Sequence, residues 1–499
     1  MSELANQVPG LRRVPTGIPG LDAILHGGFL EGGVYIVQGT PGAGKTILGN
    51  EICFRHTRAG GRAAYITLLA EMHTRMLQHL RPLSFFNEAV IPSELYYVSA
   101  FQTLESAGLQ GLIDLLRLEI KNHGATLLII DGLVAAEESA RSDREFKKFI
   151  HAIQAHAGAY DCTVLLLTSG SGGHVRAEHT MVDGVLDLED HLLQFRTERT
   201  LRVRKFRGSA FMRGRHPFRI TNDGIRLFPR VEAMFCDADR LCVPAPRAKL
   251  SSGIGELDEM MGGGLPACSV TGLIGASGVG KTTIGLHFLS LSSATEPGLC
   301  FGFFETPDAL RLKARTLGLA LGSALDRGDL EILWQARKEN ILDELADQLL
   351  TNIKRRKVKR VFIDGLGGFI ESASHPDRIG RFFASLTNEL QALSTTTLFS
   401  METREIVGGG IRVPVDGISA LVENLVYLRF VEHRSDLLRL ITVGKVRDSD
   451  HDPRLREFVI TDKGVRVREV FAGMEGVTSG IAHELPPGTA VTRLPGEEP

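Results

Sequence analysis

An eight-residue pattern, a glycine followed by four residues and then Gly-Lys-Thr, occurs twice in this chain. The copies are Gly39-Thr40-Pro41-Gly42-Ala43-Gly44-Lys45-Thr46 and Gly275-Ala276-Ser277-Gly278-Val279-Gly280-Lys281-Thr282. The pattern is that of a phosphate-binding P-loop, in which glycine N–H groups and the positive end of the next helix cradle phosphates. The chain is therefore predicted to bind a nucleotide at two places, with Lys45 and Lys281 reaching the β- and γ-phosphates.

Corresponding residues of the two copies repeat at nearly the same spacing. The P-loop lysines, Lys45 and Lys281, lie 236 residues apart, and Lys205 and Lys445 lie 240 apart. A nearly constant offset indicates a tandem duplication, and a period this long makes each copy a whole domain rather than a solenoid repeat. The predicted organisation is an N-terminal domain over 1–230, a linker over 231–249, a C-terminal domain over 250–471 and a mobile tail over 472–499.

Within each copy, short apolar strands alternate with longer amphipathic segments. This alternation favours an α/β domain in which a mostly parallel sheet carries helices on both faces. The first copy is predicted to hold strands at 34–38, 63–68, 126–130 and 163–168 and helices at 45–57, 105–122 and 143–158. Added antiparallel strands are predicted at Leu192–Phe195, Thr200–Lys205 and Pro217–Ile220 and, in the second copy, at Asn424–Phe430, Leu438–Lys445 and Arg456–Ile460.

Composition excludes several classes of protein. A net charge of −2 over 499 residues gives no bulk attraction to nucleic acid or to an anionic membrane. No apolar run approaches the roughly 18 residues that would span a bilayer, and the first residues lack the pattern of a signal peptide. The six cysteines show no metal-binding spacing. We therefore expect a cytoplasmic protein with reduced thiols, without a membrane association.

An apolar strand ending in aspartate follows each P-loop, at Leu127–Asp131 and at Val361–Asp364. Aspartate often caps the turn after a strand, which is the alternative interpretation. With a P-loop upstream in both copies, we expect Asp131 and Asp364 to help hold Mg²⁺ together with the hydroxyl groups of Thr46 and Thr282.

Hydrolysis also needs a group that orients water near the γ-phosphate. The candidates are Glu71 and Glu305, each just beyond the second strand, where ligands bind in open α/β sheets. Glu71 falls one residue further along than Glu305. The alternative for both is a solvent-facing glutamate that opens a helix.

A Lys-x-Arg pair occurs at the same place in both copies, as Lys205 with Arg207 and Lys445 with Arg447. Alternation along a strand places both cations of a pair on one face. Such a pair usually lies on a solvent-exposed face of a strand. Its recurrence favours a function, and cations on an edge strand could contact the γ-phosphate held by a neighbouring subunit.

The chain resembles the KaiC family of double-domain RecA-like ATPases over nearly its whole length. The resemblance rests on Thr16-Gly-Ile-Pro-Gly-Leu-Asp22, both P-loops, both Asp-Gly strands, and the segments Lys205–Gly214, Lys445–Asp452 and Arg456–Gly464. It implies two tandem RecA-like domains, a two-tier homohexameric ring with ATP at the subunit interfaces, and Lys/Arg pairs that act in trans. It also suggests docking of a signalling partner on the C-terminal tail.

The chain departs from the family pattern at four positions. A tandem Glu-Glu becomes Phe304-Glu305 in the second copy and Ala70-Glu71 in the first, and Asp448 stands where the family usually has glycine. The clock members autophosphorylate an adjacent Ser-Thr pair, and the matching positions here are Ser419 and Ala420. One phosphoacceptor remains, Ser419, whose alternative interpretation is a polar residue where a loop enters a strand.

The leading hypothesis is an ATP-hydrolysing ring that works as a signalling switch and has possible serine autokinase activity. ATP is preferred because no GTPase-type Asn-Lys-x-Asp stretch occurs. The rival is a RecA- or DnaB-like nucleic-acid motor or recombinase, but the loops at Ser169–Arg176 and Glu402–Arg412 carry few cations and no aromatic ring, which makes nucleic acid unlikely. A scaffold whose ATP sites only assemble the ring is a third possibility.

Overall fold

A computed structural model describes residues 12–69, 73–170, 177–193, 195–235, 248–336, 338–403, 418–433, 436–447, 449–469, 474–475 and 483–484. The chain divides into two compact units, Met1–Met234 and Phe235–Pro499, which we call the first and second units. Each contains a nine-stranded, mostly parallel sheet with helices, so the predicted fold class, two tandem α/β domains of the RecA type, is confirmed.

The first unit contains eleven strands among its described residues. They are β1 Arg13–Val14, β2 Phe29–Leu30, β3 Val34–Gly39, β4 Ala63–Thr67, β5 Leu95–Ser99, β6 Leu127–Asp131, β7 Thr163–Ser169, β8 Gly184–Leu193, β9 Arg196–Phe206, β10 Arg215–Thr221 and β11 Gly224–Leu227. Its described α-helices are α1 Pro19–Ile24, α2 Lys45–Arg58, α3 His73–Leu80, α4 Phe101–His123, α5 Leu133–Ser139, α6 Asp143–Ala159, α7 Ala177–Met181 and α8 Val231–Met234.

The second unit repeats this order. Its described strands are β12 Lys249–Leu250, β13 Leu265–Pro266, β14 Val270–Gly275, β15 Gly298–Gly302, β16 Leu330–Trp334, β17 Arg360–Asp364, β18 Thr396–Glu402, β19 Asn424–His433, β20 Asp436–Val446, β21 Arg456–Thr461, β22 Gly464–Glu469, β23 Met474–Glu475 and β24 His483–Glu484. Its described α-helices are α9 Gly255–Met260, α10 Lys281–Ser290, α11 Pro307–Thr316, α12 Leu321–Asp326, α13 Leu342–Arg356, α14 Gly367–Ser372, α15 Ile379–Ala392 and α16 Ile418–Leu421.

The P-loop strand lies in the middle of each sheet. The order is β11-β10-β9-β8-β3-β7-β6-β4-β5 in the first unit and β16-β15-β17-β18-β14-β19-β20-β21-β22 in the second. The strands from β8 to β5 in the first order run parallel, as do those from β16 to β19 in the second. The carboxyl ends of these strands therefore meet at one edge, which is where open α/β sheets bind ligands.

Two details of the predicted added strands are wrong. Leu192–Phe195 is not a strand of its own, because β8 ends at Leu193 and β9 begins at Arg196 as the two arms of one hairpin. In addition, β8 and β19 are not purely antiparallel additions, since each pairs in parallel with its P-loop strand on one side. The apolar Leu192 and Phe195 sit at the exposed hairpin end.

Both long hairpins carry a β-bulge at the same place. In the first, Val185 pairs with Lys205 and Leu186 with Val203, so Arg204 is the extra residue. In the second, Leu425 pairs with Lys445 and Val426 with Val443, so Gly444 is the extra residue. A bulge bends the strand and redirects its side chains, and bulges are frequent beside functional sites.

The P-loop helix of each unit packs against its sheet and holds one turn of the last hairpin. In the first unit, the buried carboxylate of Glu51 accepts the backbone N–H of Ile225 at 2.7 Å and pairs with Arg55. In the second, Nε2 of the buried His287 accepts the N–H of Val465 at 3.0 Å. The duplicated fold thus uses two different side chains for one backbone hydrogen bond.

Among the described residues, no helix combines the length and the apolar character needed to cross a membrane.

Candidate nucleotide sites

The first P-loop connects the end of β3 at Gly39 to the start of α2 at Lys45. Gly42 and Gly44 have φ values of 83° and 100°, which side chains other than glycine rarely adopt. A Cβ atom added to Gly42 would meet nothing within 4 Å, so this part of the loop is open. The ammonium of Lys45 donates to the carbonyl oxygens of Gly39 at 2.9 Å and Thr40 at 3.0 Å. The loop thus has the concave backbone and the cation that phosphates require.

The second P-loop has the same construction between β14 and α10. Gly278 and Gly280 have φ values of 74° and 115°. Lys281 Nζ donates to Gly275 O at 2.8 Å and Ala276 O at 2.6 Å. Burial lowers the pKa of both Lys281 and Lys45, so each ammonium gains electrostatically from an anionic ligand.

A threonine and an aspartate meet beside the first P-loop. Thr46 Oγ1 donates to Asp131 Oδ2 at 3.0 Å, across the carboxyl edge of the sheet. The same carboxylate oxygen accepts the hydroxyl of Tyr65, on β4, at 2.7 Å. Mg²⁺ prefers oxygen ligands and is held in phosphate sites by one or two carboxylates together with phosphates and water. Thr46 and Asp131 fit such an ion.

The second unit repeats this pair with a different third partner. Thr282 Oγ1 lies 3.0 Å from Asp364 Oδ2, and the buried hydroxyl of Ser400, on β18, donates to Asp364 Oδ1 at 2.8 Å. Burial raises the pKa of Asp364, and the donors Ser400 and Thr282 act against that rise. A cation beside this carboxylate would also favour its charged form, so the donor set fits Mg²⁺ here too.

Glu305 lies three residues beyond the end of β15, at the carboxyl edge. Its carboxylate pairs with Lys313 of α11 at 2.7 Å. The preceding Phe304 is 47% exposed and packs over Gly365, next to Asp364, where an added Cβ would come within 2.2 Å of the ring. Glu71 lies outside the described residues.

The cation pair of the first unit lies against the end of α7 rather than beside the P-loop. Lys205 Nζ donates to the carbonyl oxygens of His179, Thr180 and Val182 at 2.6–2.9 Å. Arg207 donates to Thr180 O at 2.7 Å, so the two cations share an acceptor and lie on one face, as predicted from the alternation. Both line a cavity of about 410 Å³.

The cations do not lie on an edge strand in the sheet order. β9 lies between β8 and β10, although the register with β10 covers only Arg199–Arg202, so Lys205 lies past the paired part. In the second unit, Lys445 Nζ donates to Ser419 O at 2.7 Å and Val422 O at 3.0 Å. Arg447 lies just past β20, and its backbone N–H donates to Glu423 O.

Ser419 lies on α16 and is exposed. Its carbonyl oxygen contacts Lys445, which places the candidate phosphoacceptor beside the cation pair of the second unit. The side chain of Ala420 and the whole of Asp448 lie outside the part of the chain that the structure describes. The same is true of most of the two candidate pore loops and of the tail after 484.

Two residues at the sites escape motif analysis. Tyr65 and Ser400 lie inside buried strands and are brought to the aspartates by strand order, which a local pattern does not contain. The sequence gives a weak signal for Ser400, because it is a polar residue within a buried central strand, and such strands are usually apolar throughout.

Both units therefore have the architecture and the site of a P-loop nucleoside triphosphatase. A family model described as "ATPase: KaiC" matches residues 14–232 and 250–470. The chain belongs to the KaiC family of ATPases, and the predicted resemblance is confirmed.

Curated relatives match over nearly the whole chain. The "Circadian clock oscillator protein KaiC" of Rippkaea orientalis is 27% identical over 488 residues, which are 95% of this chain and 92% of that protein. The protein of the same name from Thermostichus vulcanus is 28% identical over 94% of this chain and 92% of its own length. "Circadian clock oscillator protein KaiC 1" of Synechocystis is 26% identical with the same coverage.

Proposed function

We propose that this protein is an ATP-hydrolysing homohexameric ring that acts as a regulatory switch, with ATP held at the subunit interfaces. The observation that carries the proposal is the pairing, in both units, of the P-loop threonine with a strand-end aspartate at 3.0 Å. A P-loop without that pair could bind phosphate, whereas the pair adds a place for the cation that phosphoryl transfer needs.

The roles of the residues follow from charge. Mg²⁺, when bound by Thr46 with Asp131 or by Thr282 with Asp364, would neutralise charge on the phosphates. Lys45 and Lys281 exchange their carbonyl partners for phosphate oxygens, which stabilise the ammonium more strongly than neutral acceptors do. The P-loop N–H groups hold the same anion from the opposite side.

Glu305 is proposed to orient the attacking water in the second unit. It lies at the carboxyl edge and is only partly buried, so its ion pair with Lys313 can be exchanged for water contacts. Glu71 is proposed for the same role in the first unit on its sequence position alone.

Lys205 with Arg207 and Lys445 with Arg447 are proposed to act on the γ-phosphate bound by a neighbouring subunit. Lys205 contacts backbone carbonyl oxygens, and no contact of Lys205 with its own P-loop occurs among the described residues. Cations supplied by a neighbour stabilise charge that develops during phosphoryl transfer. Hydrolysis would then require the assembled ring. A hexamer can act as a switch in this way, because the contact between neighbouring subunits controls hydrolysis.

The test is ATP hydrolysis by Lys45→Ala, Lys281→Ala and the double variant, with the exposed Lys147→Ala on α6 as matched control. We expect each single variant to retain the activity of the other unit and the double variant to lose hydrolysis. Full hydrolysis by the double variant would show that neither P-loop is a catalytic site.

We further propose that the second unit phosphorylates Ser419. The contact between Lys445 Nζ and Ser419 O supports this, because it places the exposed serine beside a cation proposed to meet a neighbour's γ-phosphate. Incubation with ATP labelled at the γ-phosphate should label the wild type and Ser323→Ala, an exposed serine on α12, but not Ser419→Ala. Released phosphate without labelled protein would leave an ATPase that is not an autokinase. A partner protein that reads the state of the ring is proposed to dock on the C-terminal tail.

A further inference from the structure

A chain of three polar side chains runs through the first unit beneath its P-loop. Gln38 Nε2 donates to Asp187 Oδ1 at 2.6 Å, and Arg204 Nε lies 2.6 Å from Asp187 Oδ2. Gln38 is 4% exposed and Asp187 is 1% exposed. Loss of either partner of this buried carboxylate would be costly, because it would leave an unpaired charge or dipole behind.

The two ends of this polar chain reach different sites. Gln38 directly precedes Gly39, the first P-loop residue, whose carbonyl oxygen accepts from Lys45. At the other end, Arg204 lines the 410 Å³ cavity together with Lys205 and Arg207. Arg204 therefore contacts the buried carboxylate through its guanidinium and also lines the cavity that is proposed to face the neighbour's phosphate.

The β-bulge accounts for this position of Arg204. In a regular strand, residues 204 and 205 would point to opposite faces. As the extra residue of the bulge, Arg204 is freed from that alternation and lines the same cavity as Lys205.

The second unit has the same backbone without the polar side chains. Ile274 and Tyr427 pair in the register in which Gln38 and Asp187 pair in the first unit. The extra residue of its bulge is Gly444, which the Tyr427 ring covers so closely that an added Cβ would lie 2.4 Å from it. The connection is therefore specific to the first unit.

We propose that Arg204, Asp187 and Gln38 couple the cation cavity of the first unit to the P-loop of the same subunit, so that a phosphoryl group of a neighbour in the cavity changes nucleotide affinity there. An anion competes with Asp187 for the guanidinium, and any loss of that pairing must be met by a shift of Asp187 and Gln38 below Gly39. The coupling rests on the proposed role of the cavity as a site for the neighbour's phosphate. Arg204 is a positioning residue, since it acts on the P-loop through Asp187 and Gln38.

The test uses the full chain with Lys281→Ala, so that nucleotide binding reports on the first unit. Binding of a fluorescent, non-hydrolysable ATP analogue is measured as a full saturation curve, and ATP hydrolysis is measured in parallel. Arg204→Gln and Asp187→Asn are compared with Arg202→Gln, an exposed arginine that lies opposite Asp187 in the hairpin register. Arg204 is partly exposed, so its variant keeps the test valid if Asp187→Asn does not fold.

We expect the parent protein and Arg202→Gln to bind with positive cooperativity, and Arg204→Gln and Asp187→Asn to bind with a Hill coefficient of about 1 at a similar half-saturating concentration. A merely structural role would change affinity or stability instead of cooperativity. A non-cooperative parent, or unchanged cooperativity in Arg204→Gln, would overturn the coupling.

Lys205→Ala on the same background separates this inference from the proposed function. If Lys205→Ala hydrolyses ATP as fast as the parent, the trans role of the cavity is wrong. If Lys205→Ala is slow while Arg204→Gln binds like the parent, the trans role stands and the coupling alone is wrong.

Discussion

At the scale of single residues, the hydroxyl group beside each aspartate differs between the two sites. Tyr65 donates to Asp131 from β4, whereas Ser400 donates to Asp364 from β18. β4 neighbours the aspartate strand on the side away from the P-loop strand, and β18 neighbours it on the side towards the P-loop strand. A donor to a metal-binding carboxylate fixes its orientation and tunes its basicity. The two sites should therefore respond differently to loss of one hydroxyl.

Tyr65→Phe should raise the Mg²⁺ concentration that gives half-maximal nucleotide binding at the first unit by about tenfold, because Asp131 loses the donor that orients it. The measurement is a Mg²⁺ titration with a fluorescent ATP analogue in the Lys281→Ala background. Tyr97→Phe is the matched control, since Tyr97 packs against Tyr65 but donates to Asn50 rather than to Asp131. Equal shifts in both variants would mean that packing, not the donor, matters.

His287 gives the second unit a dependence on pH. One neutral tautomer satisfies both of its contacts, with Nδ1 donating to Gly253 O and Nε2 accepting from Val465. Burial lowers its pKa below the ordinary 6.5. The unfolded chain therefore binds this proton at a higher pH than the folded chain, and the free energy of unfolding falls as pH drops below about 6.5.

His287→Gln should remove this part of the pH dependence, since glutamine can donate to Gly253 and accept from Val465 without titrating. Urea unfolding between pH 7.5 and 5.5 can be followed by the fluorescence of Trp334, the one tryptophan of the chain, which lies on β16 of the second unit. The wild type and His151→Gln, an exposed histidine on α6, should lose more stability in acid than His287→Gln. Parallel pH profiles for all three would contradict the assignment.

At the scale of elements, two short helices are tied to long hairpins by lysine. Lys205 holds the carbonyl oxygens at the end of α7, and Lys445 holds one within α16 and one just after it. A cation at the C-terminal end of a helix satisfies carbonyl groups that have no partner within the helix.

Lys205→Ala should therefore speed amide hydrogen exchange in Ala177–Met181 several-fold, because local opening no longer breaks these hydrogen bonds. Exchange in the parallel strands should not change. Arg202→Ala, on the same strand, is the control. Faster exchange throughout the unit would instead indicate general destabilisation.

The strands were predictable where their environment is uniform. The prediction of 34–38 matches β3 Val34–Gly39 and that of 163–168 matches β7 Thr163–Ser169, because buried parallel strands form continuous apolar runs. β5 Leu95–Ser99 was missed, since it lies at the sheet edge and most of its residues are only partly buried. The prediction of a separate strand at Leu192–Phe195 was wrong because its apolar residues are exposed at a hairpin end. An apolar run there does not reflect burial in a core.

The candidate site was predictable only in part for a related reason. Motifs locate the P-loops and the aspartates, because their residues are close in sequence or end a recognisable strand. Strand order brings Tyr65 and Ser400 to the aspartates, and a bulge brings Arg204 to the cavity; neither is encoded in local spacing.

At the scale of the whole molecule, the duplication predicts that each unit is stabilised against unfolding by its own bound nucleotide. A ligand that binds only the folded state stabilises it by about 2.7 kcal/mol at 100 times its Kd. Since Trp334 reports on the second unit, Mg-ATP should raise its unfolding midpoint in the wild type and in Lys45→Ala, but not in Lys281→Ala. A shift that survives in Lys281→Ala would mean that this lysine is dispensable for binding.

The glycine at the second bulge also bears on how the two copies diverged. Gly444→Arg alone would bring the new side chain against the Tyr427 ring, whose atoms already lie 2.4 Å from where a Cβ would stand. Tyr427→Asp alone would place a carboxylate at a partly buried position opposite Ile274, with no arginine at position 444 to neutralise it. Each single substitution is therefore expected to destabilise the second unit. The duplicates are therefore separated by an epistatic barrier, and a single substitution cannot return one copy to the state of the other.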